Sequence, residues 1–466
     1  MFDPKFTAST QINHEKLFQF FIFTCQLLMN DSNQQIFYGL NSLKNILLIS
    51  ESQPELKTQI LSYLLSQNLH CFLISKLENQ ALHPFITKII LQIFNIIMKT
   101  QQEFINELIS SNFHDLLVSL LPSKQALECI QTMFLLHEDY HNLLLTNHFH
   151  KHLLRYILSL DHIESPFKFF WESDYVSFLI FLQPYVQFDD ADYEILIRRF
   201  ILVIGIDEDE LDFFHPNSTE NPFYAVQKSY IKFLNNSEDG HLIELFCSQQ
   251  DNLLYIISLF PKNTYKFIAS KIFVYLEKIV CTSIEFASLF ASPVFAEHFA
   301  MMLSNDSYLE EIVQLIFIIC RELKAKCNEF VTEILFKALN STLVSSSYSI
   351  QKTVFCTFLI LLRNDPSCSY YPFFSDSQLF NYQTFFEFSD LFFDSGTTEK
   401  GILLETIFHI LRNSQINPNL PLNQMFIQYI LTADFYERLH KVIESVDNEE
   451  VSNQAKLLME KIDELM

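Results

Sequence analysis

The sequence predicts an all-α protein built from degenerate helical repeats, and three observations carry this prediction. Apolar residues recur at three- and four-residue steps along most of the chain, as Phe18, Phe21, Cys25 and Leu28 do. Only 5 glycines occur among 466 residues, although β-rich folds need glycine-bearing turns every few residues. A short helical motif also starts at residues 64, 108 and 144, at offsets of 44 and 36, and such periods are typical of α-solenoids.

The repeated motif is visible in three copies and is weaker in two more. The clear copies are LLSQNLHCFLISKL (64–77), LISSNFHDLLVSLL (108–121) and LLTNHFHKHLLRYI (144–157). A longer helical segment stands ahead of each copy, at 42–49, 92–99 and 128–135. Weaker copies are found at 289–302 and 430–442. The repeat therefore consists of two short helices and one longer helix.

This layout resembles the armadillo/HEAT superfamily, in which each unit has two shorter helices followed by a longer third helix. The turn between the first two helices carries Asn68, Asn112 and His148. Relatives usually have glycine there, and Asn also tolerates the left-handed backbone conformation. The resemblance is best over residues 33–158. It implies a right-handed superhelical solenoid of degenerate repeats, which we expect to run as a single body over residues 1–466.

Two further slots of the motif have predicted structural roles. Each repeat must bury on its neighbours an apolar face that it cannot bury alone. Phe113 and Phe149 are the expected contacts between units, and Leu69 fills the equivalent position. The next residue of each copy is a histidine, at positions 70, 114 and 150. We expect these histidines to be architectural and to bond a helix-end carbonyl of a neighbouring unit.

The string HEDYH at residues 137–141 has the spacing of a zinc hydrolase, in which His137 and His141 would bind the metal and Glu138 would activate water. The repeat alignment places residues 137–140 in a turn, which would not hold both imidazoles on one face. The third histidine of the longer metzincin motif would fall at Asn147. We therefore interpret the match as coincidental and expect no metal and no cofactor. A zinc hydrolase is the least favoured alternative.

The third helix carries the predicted partner-binding positions, because Asn45, Asn95 and Gln131 align there. In the armadillo proteins that this chain resembles, amides on the third helix face a concave groove and bond the backbone of an extended peptide. An amide suits this role because it offers both a donor and an acceptor.

Charge favours protein partners over polyanions. The chain holds 55 acidic and 31 basic residues, a formal net charge of −24, so nucleic acid and anionic membranes would be repelled. One acidic run lies within a candidate hinge or insertion at 205–222 and is a candidate contact for a basic partner; it comprises Asp207, Glu208, Asp209, Glu210 and Asp212. Its context resembles an acidic segment of importin-β-type transport receptors.

Other absences narrow the function. The glycines cannot form GxGxxG, GxxxxGK[ST] or GxSxG, which excludes the nucleotide folds and nucleophile elbows that need them. No apolar run reaches the length of a membrane span. The 9 scattered cysteines contain no CxxC and indicate a reducing compartment, the cytoplasm or nucleus. The sequence thus predicts a non-enzymatic scaffold or adaptor that binds protein partners. The alternative is an importin-β-like transport receptor or regulatory subunit.

Overall fold

The computed structural model describes the chain from His14 to Leu465 except for internal segments. The residues outside the description are 1–13, 30–31, 79–81, 102, 122, 164, 166–167, 207–221, 238–239, 261–267, 305–307, 365–386, 390–391, 394–395, 417–420, 446–447 and 466. All regular structure in the described residues is helical, as predicted. The chain divides into two units, Met1–Phe188 and Asp189–Met466, each described by itself. The expectation of one solenoid over the whole chain stays a prediction.

Unit 1 (Met1–Phe188) is a stack of three-helix repeats. Its helices are α1 (His14–Leu28), α2 (Asn33–Ser50), α3 (Pro54–Ser66), α4 (Leu69–Leu77), α5 (Pro84–Thr100), α6 (Glu103–Ser110), α7 (Phe113–Ser119), α8 (Lys124–Leu136), α9 (Glu138–Thr146), α10 (Phe149–Ser159) and α11 (Lys168–Leu182). Helices α3–α5, α6–α8 and α9–α11 each form one repeat of two shorter helices and a longer one. The third helices α2, α5, α8 and α11 pack in succession. The predicted armadillo/HEAT-type fold is confirmed.

The turn between the first two helices of each repeat has a left-handed backbone. Asn68 has φ 50°, Asn112 has φ 57° and His148 has φ 50°. None of the described glycines has a positive φ. The predicted replacement of glycine at this turn is therefore confirmed, and it works because a short polar side chain reduces the cost of the left-handed region.

The predicted contacts between repeats are buried as expected. Phe113, at the start of α7, is fully buried, and its ring centroid lies 4.8 Å from that of Phe94 on the preceding third helix. Phe149, at the start of α10, has its ring centroid 6.2 Å from that of His114 in the preceding repeat. Leu69 is also buried. An aromatic side chain of this size contributes several kcal/mol, at about 25 cal/mol per Å² of buried apolar area.

The repeated histidines are architectural, but their described partners differ from the expected helix-end carbonyls. His70 Nε2 lies 3.3 Å from Glu107 Oε2 on α6. His114 Nδ1 lies 2.7 Å from the Tyr140 hydroxyl on α9. His70 and His150 are both buried. His70 and His114 thus each contact a side chain on the first helix of the following repeat, whereas the His150 ring contacts that of Phe188.

Unit 2 (Asp189–Met466) repeats the same plan. Its helices of eight or more residues are α12 (Asp190–Ile204), α13 (Pro222–Asn236), α14 (Gly240–Ser248), α15 (Gln250–Leu259), α16 (Ala269–Thr282), α18 (Pro293–Leu303), α19 (Leu309–Leu323), α21 (Glu333–Ser345), α22 (Tyr348–Asn364), α23 (Thr397–Ile416), α24 (Pro421–Ile430), α25 (Ala433–Ser445) and α26 (Glu449–Asp463). Two shorter α-helices are α17 (Ile284–Leu289) and α20 (Cys327–Phe330).

The longer helices of unit 2 also pack in succession, in the order α13, α16, α19, α22, α23 and α26. The weak motif copies at 289–302 and 430–442 span the turns between α17 and α18 and between α24 and α25. Both copies are thus the first two helices of a repeat, as predicted. Within the described ranges, no helix combines the length and the apolar character needed to cross a lipid bilayer.

Candidate functional site

The third helices of unit 1 each leave one stripe of side chains outside the core. On α5 this stripe is Phe85, Lys88, Gln92, Asn95 and Lys99, at steps of 3 and 4 residues. The remaining face is occupied by buried isoleucines and other apolar residues. Since a helix has 3.6 residues per turn, such steps keep the stripe on one side. This side of the third helices is the candidate binding surface of unit 1.

The three predicted amides lie on this surface. Asn45 on α2 is exposed, while Asn95 on α5 and Gln131 on α8 are half-buried. The structure therefore brings the three residues onto neighbouring third helices, because α2, α5 and α8 pack in succession. Their role in binding a partner stays a prediction.

Polar contacts join these helices along the same surface. Thr132 Oγ1 donates to Asn95 Oδ1 at 2.6 Å, which links α8 to α5. Lys44 Nζ donates to Gln92 Oε1 at 2.7 Å, which links α2 to α5. The side-chain oxygen of Asn95 thus accepts a hydrogen bond from the next third helix.

A groove of about 880 Å³ opens at the N-terminal end of the third helices. It lies between the C-terminal ends of α4 and α7 and the first turns of α5, α8 and α11. We call it the unit 1 groove and define it by Phe85, Lys88, Lys124, Trp171 and Asp174. Its volume is within the range of about 300–1,000 Å³ that small ligands and peptide side chains occupy in proteins.

Three aromatic side chains, those of Phe85, Phe170 and Trp171, line the unit 1 groove. Phe85 is 64% exposed at the second position of α5, immediately after Pro84. The His83 ring stacks on the Phe85 ring with centroids 5.4 Å apart, and His83 Nδ1 accepts from the Phe85 backbone N–H. This cap fixes the start of α5 and the position of Phe85. Trp171 on α11 is the one tryptophan of the chain.

Charges of both signs accompany these aromatic residues. Burial raises the pKa of the Asp174 carboxyl to about 6, and the nearby Lys124 ammonium opposes that shift while Glu128 adds to it. Lys88 lies one turn after Phe85 on the same stripe. The groove therefore offers apolar surface beside cations and a carboxylate, an arrangement that suits a polypeptide segment with one large apolar side chain.

The HEDYH string is divided between a cap and a helix. The prediction of a turn over residues 137–140 is wrong beyond its first residue, because α9 begins at Glu138. His137 has an extended backbone, its Nδ1 accepts from Tyr140 N–H, and its Nε2 lies 2.5 Å from Asn106 Oδ1. The His141 ring stacks on the Phe134 ring, with their centroids 4.1 Å apart. Both imidazoles thus contact side chains of the preceding repeat, Asn106 on α6 and Phe134 on α8.

The remaining predicted positions are the acidic run and the residues that could bind a metal. The acidic run formed by Asp207, Glu208, Asp209, Glu210 and Asp212 lies outside the described residues. In the described part of the chain, no three His, Cys, Asp or Glu side chains gather closely enough to hold a metal ion. Sequence reasoning missed Phe85 and Trp171; the available signals were an aromatic residue directly after a helix-starting proline and the chain's one tryptophan.

Comparisons with known proteins concern the fold. No described protein family and no curated protein sequence matches the chain. An engineered protein solved by the Northeast Structural Genomics Consortium is similar at a TM-score of 0.52 and 13% identity, over 95% of this chain and 98% of that one. At this identity the likeness shows a shared fold and no shared activity.

Two natural helical proteins are more distantly similar. Kap121p has a TM-score of 0.42 and 9% identity, over 98% of this chain and 46% of Kap121p. A chain from a structure of tubulin recruitment by microtubule polymerases with TOG domain arrays has a TM-score of 0.25 and 10% identity, over 94% of each chain. The repeats and their packing define the class of this protein as an armadillo/HEAT-type α-solenoid.

Proposed function

We propose that the protein is a non-enzymatic scaffold that binds a protein partner through the third helices of unit 1. One observation carries the proposal: Phe85, 64% exposed, and the single tryptophan, Trp171, line one groove of about 880 Å³. Aromatic residues are enriched among the residues that dominate interface energy, and these two line one groove instead of standing singly on the surface.

The mechanism follows from the chemistry of the groove. A large apolar side chain of the partner inserts beside Phe85 and Trp171 and excludes water. Lys88 and Lys124 attract carboxylates that flank this side chain, and Asp174 limits how many carboxylates the groove accepts. Outside the groove, on the same side of the third helices, the amides of Asn45, Asn95 and Gln131 bond the partner backbone. Because apolar burial and charge pairing act together, affinity concentrates at the groove.

The nine cysteines support a reducing compartment, the cytoplasm or nucleus. Eight of them lie in the described residues, and all eight are free thiols. Six are buried in helices, as Cys25 and Cys129 are. Burial raises the pKa of the Cys25 thiol to about 12, so that the thiol stays protonated and unreactive. Free buried thiols of this kind are typical of proteins that need no disulfides.

Trp171 provides the test of the proposal, because it is the only indole in the chain. Partners are first captured from cell extract with the wild-type protein and identified, then purified and titrated into it. We expect the Trp171 emission to shift on binding. We also expect Phe85→Ala to weaken binding by tenfold or more, since interface aromatic residues often contribute about 2 kcal/mol or more.

Leu143→Ala is the matched control, because Leu143 is an exposed apolar residue on α9, outside the groove lining. It should leave binding unchanged. Partners that bind the Phe85→Ala protein as tightly as the wild type, with unchanged Trp171 emission, would contradict the proposal.

A further inference from the structure

Unit 2 carries a cluster of lysines on its third helices. Lys228 and Lys232 are both exposed and lie one turn apart on α13. Lys271 lies on α16, which packs against α13. Asn235, one turn after Lys232, donates from Nδ2 to the Lys271 carbonyl oxygen at 3.1 Å, so the two helices meet at this point. We call Lys228, Lys232 and Lys271 the lysine patch.

The positive charges of Lys228 and Lys232 act on the Lys271 ammonium group. The pKa of Lys271 is lowered, first by burial and then by the positive charges of Lys228 and Lys232. Helix α13 contains no acidic residue, and Glu277 is the single one on α16. Like charges held close together repel and lower the stability of the folded chain. An anion bound over the patch would remove this repulsion.

The lysine patch differs from Lys352 and Arg363, two other bases on the third helices of this unit. Lys352 pairs with Glu399 at 2.6 Å, and Arg363 pairs with Glu405. In the described part of unit 2, no acidic side chain forms an ion pair with Lys228, Lys232 or Lys271. Within the described residues, the patch thus carries positive charge that no acidic side chain pairs with, in a chain of net charge −24.

A neighbouring lysine, Lys278, has a structural role, in contrast to the lysine patch. Lys278, two turns after Lys271 on α16, places its Nζ on the carbonyl oxygens of Asn235 and Ser237. Those carbonyls end α13, and a cation there satisfies them and interacts favourably with the helix dipole. Lys278 thus fastens α16 to α13. Between it and Lys271, Val274 is 55% exposed and adds apolar surface.

We propose that the lysine patch binds a short acidic segment of a protein partner. Packed helices lie about 8–10 Å apart, so the three ammonium groups match a few carboxylates on one extended peptide, and Val274 can contact an apolar residue between them. A nucleic acid fits less well, because a long polyanion would meet the strong negative charge of the rest of the chain. This site lies in unit 2 and does not depend on the unit 1 groove.

Fluorescence anisotropy with the full-length protein tests the assignment. The probe is a fluorescein-labelled peptide with a run of alternating Asp and Glu around one Leu. The comparison probes are the same peptide with Asn and Gln, and labelled single-stranded oligothymidylate. We expect the acidic peptide to bind and the amide peptide not to bind. The triple variant Lys228→Gln, Lys232→Gln, Lys271→Gln should weaken binding about tenfold or more, since each ion pair contributes a modest share.

A charge-matched triple variant is the control. It changes Lys326, Lys337 and Lys456, three exposed lysines of unit 2, to Gln, and it should bind the acidic peptide within about twofold of the wild type if long-range charge alone contributes little. Three results would overturn the proposal: no binding of the acidic peptide, an equal loss in both triple variants, or tighter binding of oligothymidylate than of the peptide. Binding of the acidic peptide by the Phe85→Ala protein separates this site from the unit 1 groove.

Discussion

Asp174 makes the stability of the folded chain depend on pH, and Asp174→Asn should remove that dependence. Burial raises the pKa of this carboxyl from 3.8 to about 6. The folded chain therefore holds the Asp174 proton more tightly than the unfolded chain does. Stability falls as the pH rises from about 3.8 to about 6 and is level above that range. An amide at this position carries no charge to bury.

The size of the effect follows from the two pKa values. One pKa unit corresponds to about 1.4 kcal/mol, so ionised Asp174 destabilises the folded chain by at most about 3 kcal/mol above pH 6. At pH 5 only part of this penalty is present, about 1.6 kcal/mol. The free energy of unfolding of Asp174→Asn should therefore exceed that of the wild type by about 1.4 kcal/mol more at pH 8 than at pH 5.

Urea denaturation at several pH values between 5 and 8, followed by far-ultraviolet circular dichroism, measures this difference. Asp139→Asn is the matched control, because Asp139 is an exposed carboxylate of the same unit. The control corrects for the general loss of one negative charge. The reasoning is refuted if Asp174→Asn shows the same pH profile as the wild type, or if its advantage shrinks as the pH rises.

Three further predictions concern packing, turns and thiols. Phe113→Ala should lower the free energy of unfolding by about 3–5 kcal/mol, because a fully buried ring is lost, and Phe85→Ala should change it by less than about 0.5 kcal/mol. His148→Gly should raise it by about 1 kcal/mol by relieving the left-handed turn, as measured by urea denaturation. Exposed Cys71 should react rapidly with an aromatic disulfide reagent, while Cys129, buried and with a raised pKa, should react only on unfolding.

These three predictions have internal controls. Equal losses for Phe113→Ala and Phe85→Ala would contradict the assignment of Phe113 to the contact between repeats. Asn147 has φ −81° beside His148, so Asn147→Gly should destabilise the chain, and a gain there would mean that the turn argument fails. Reaction of both cysteines at the same rate would show that burial does not protect the Cys129 thiol.

The backbone of the repeats could be predicted from the sequence because each repeat needs the same residue types at the same positions. A turn with positive φ selects for glycine or a short polar residue, so the aligned Asn68, Asn112 and His148 already indicate the conformation that the structure shows. The apolar spacing indicates in the same way which helix face is buried. The predicted start of α9 was wrong because the single residue His137 both ends α8 and caps α9.

Side-chain partners between repeats could not be read from the alignment. His70 and His114 occupy one slot, yet one contacts the carboxylate of Glu107 and the other the hydroxyl of Tyr140. The alignment fixes a residue's position within its own repeat, but the partner comes from the following repeat, where loop length and side-chain size vary. The unit 1 groove was missed for the same reason, since Phe85 and Trp171 belong to different repeats.

Stacking also explains why both proposed binding sites lie on third helices. Packing on neighbours fixes the buried stripe of each helix, so substitutions there alter stability, whereas the outer stripe varies with little cost to the fold. In unit 1 that stripe carries Phe85 and the amide of Asn95, and in unit 2 it carries Lys228 and Lys232. Within the described residues these lysines have no ion-pair partner, and the exposed side chains of Lys228 and Lys232 lie outside the core. A role in binding an anionic partner accounts for a charge arrangement that the fold alone does not require.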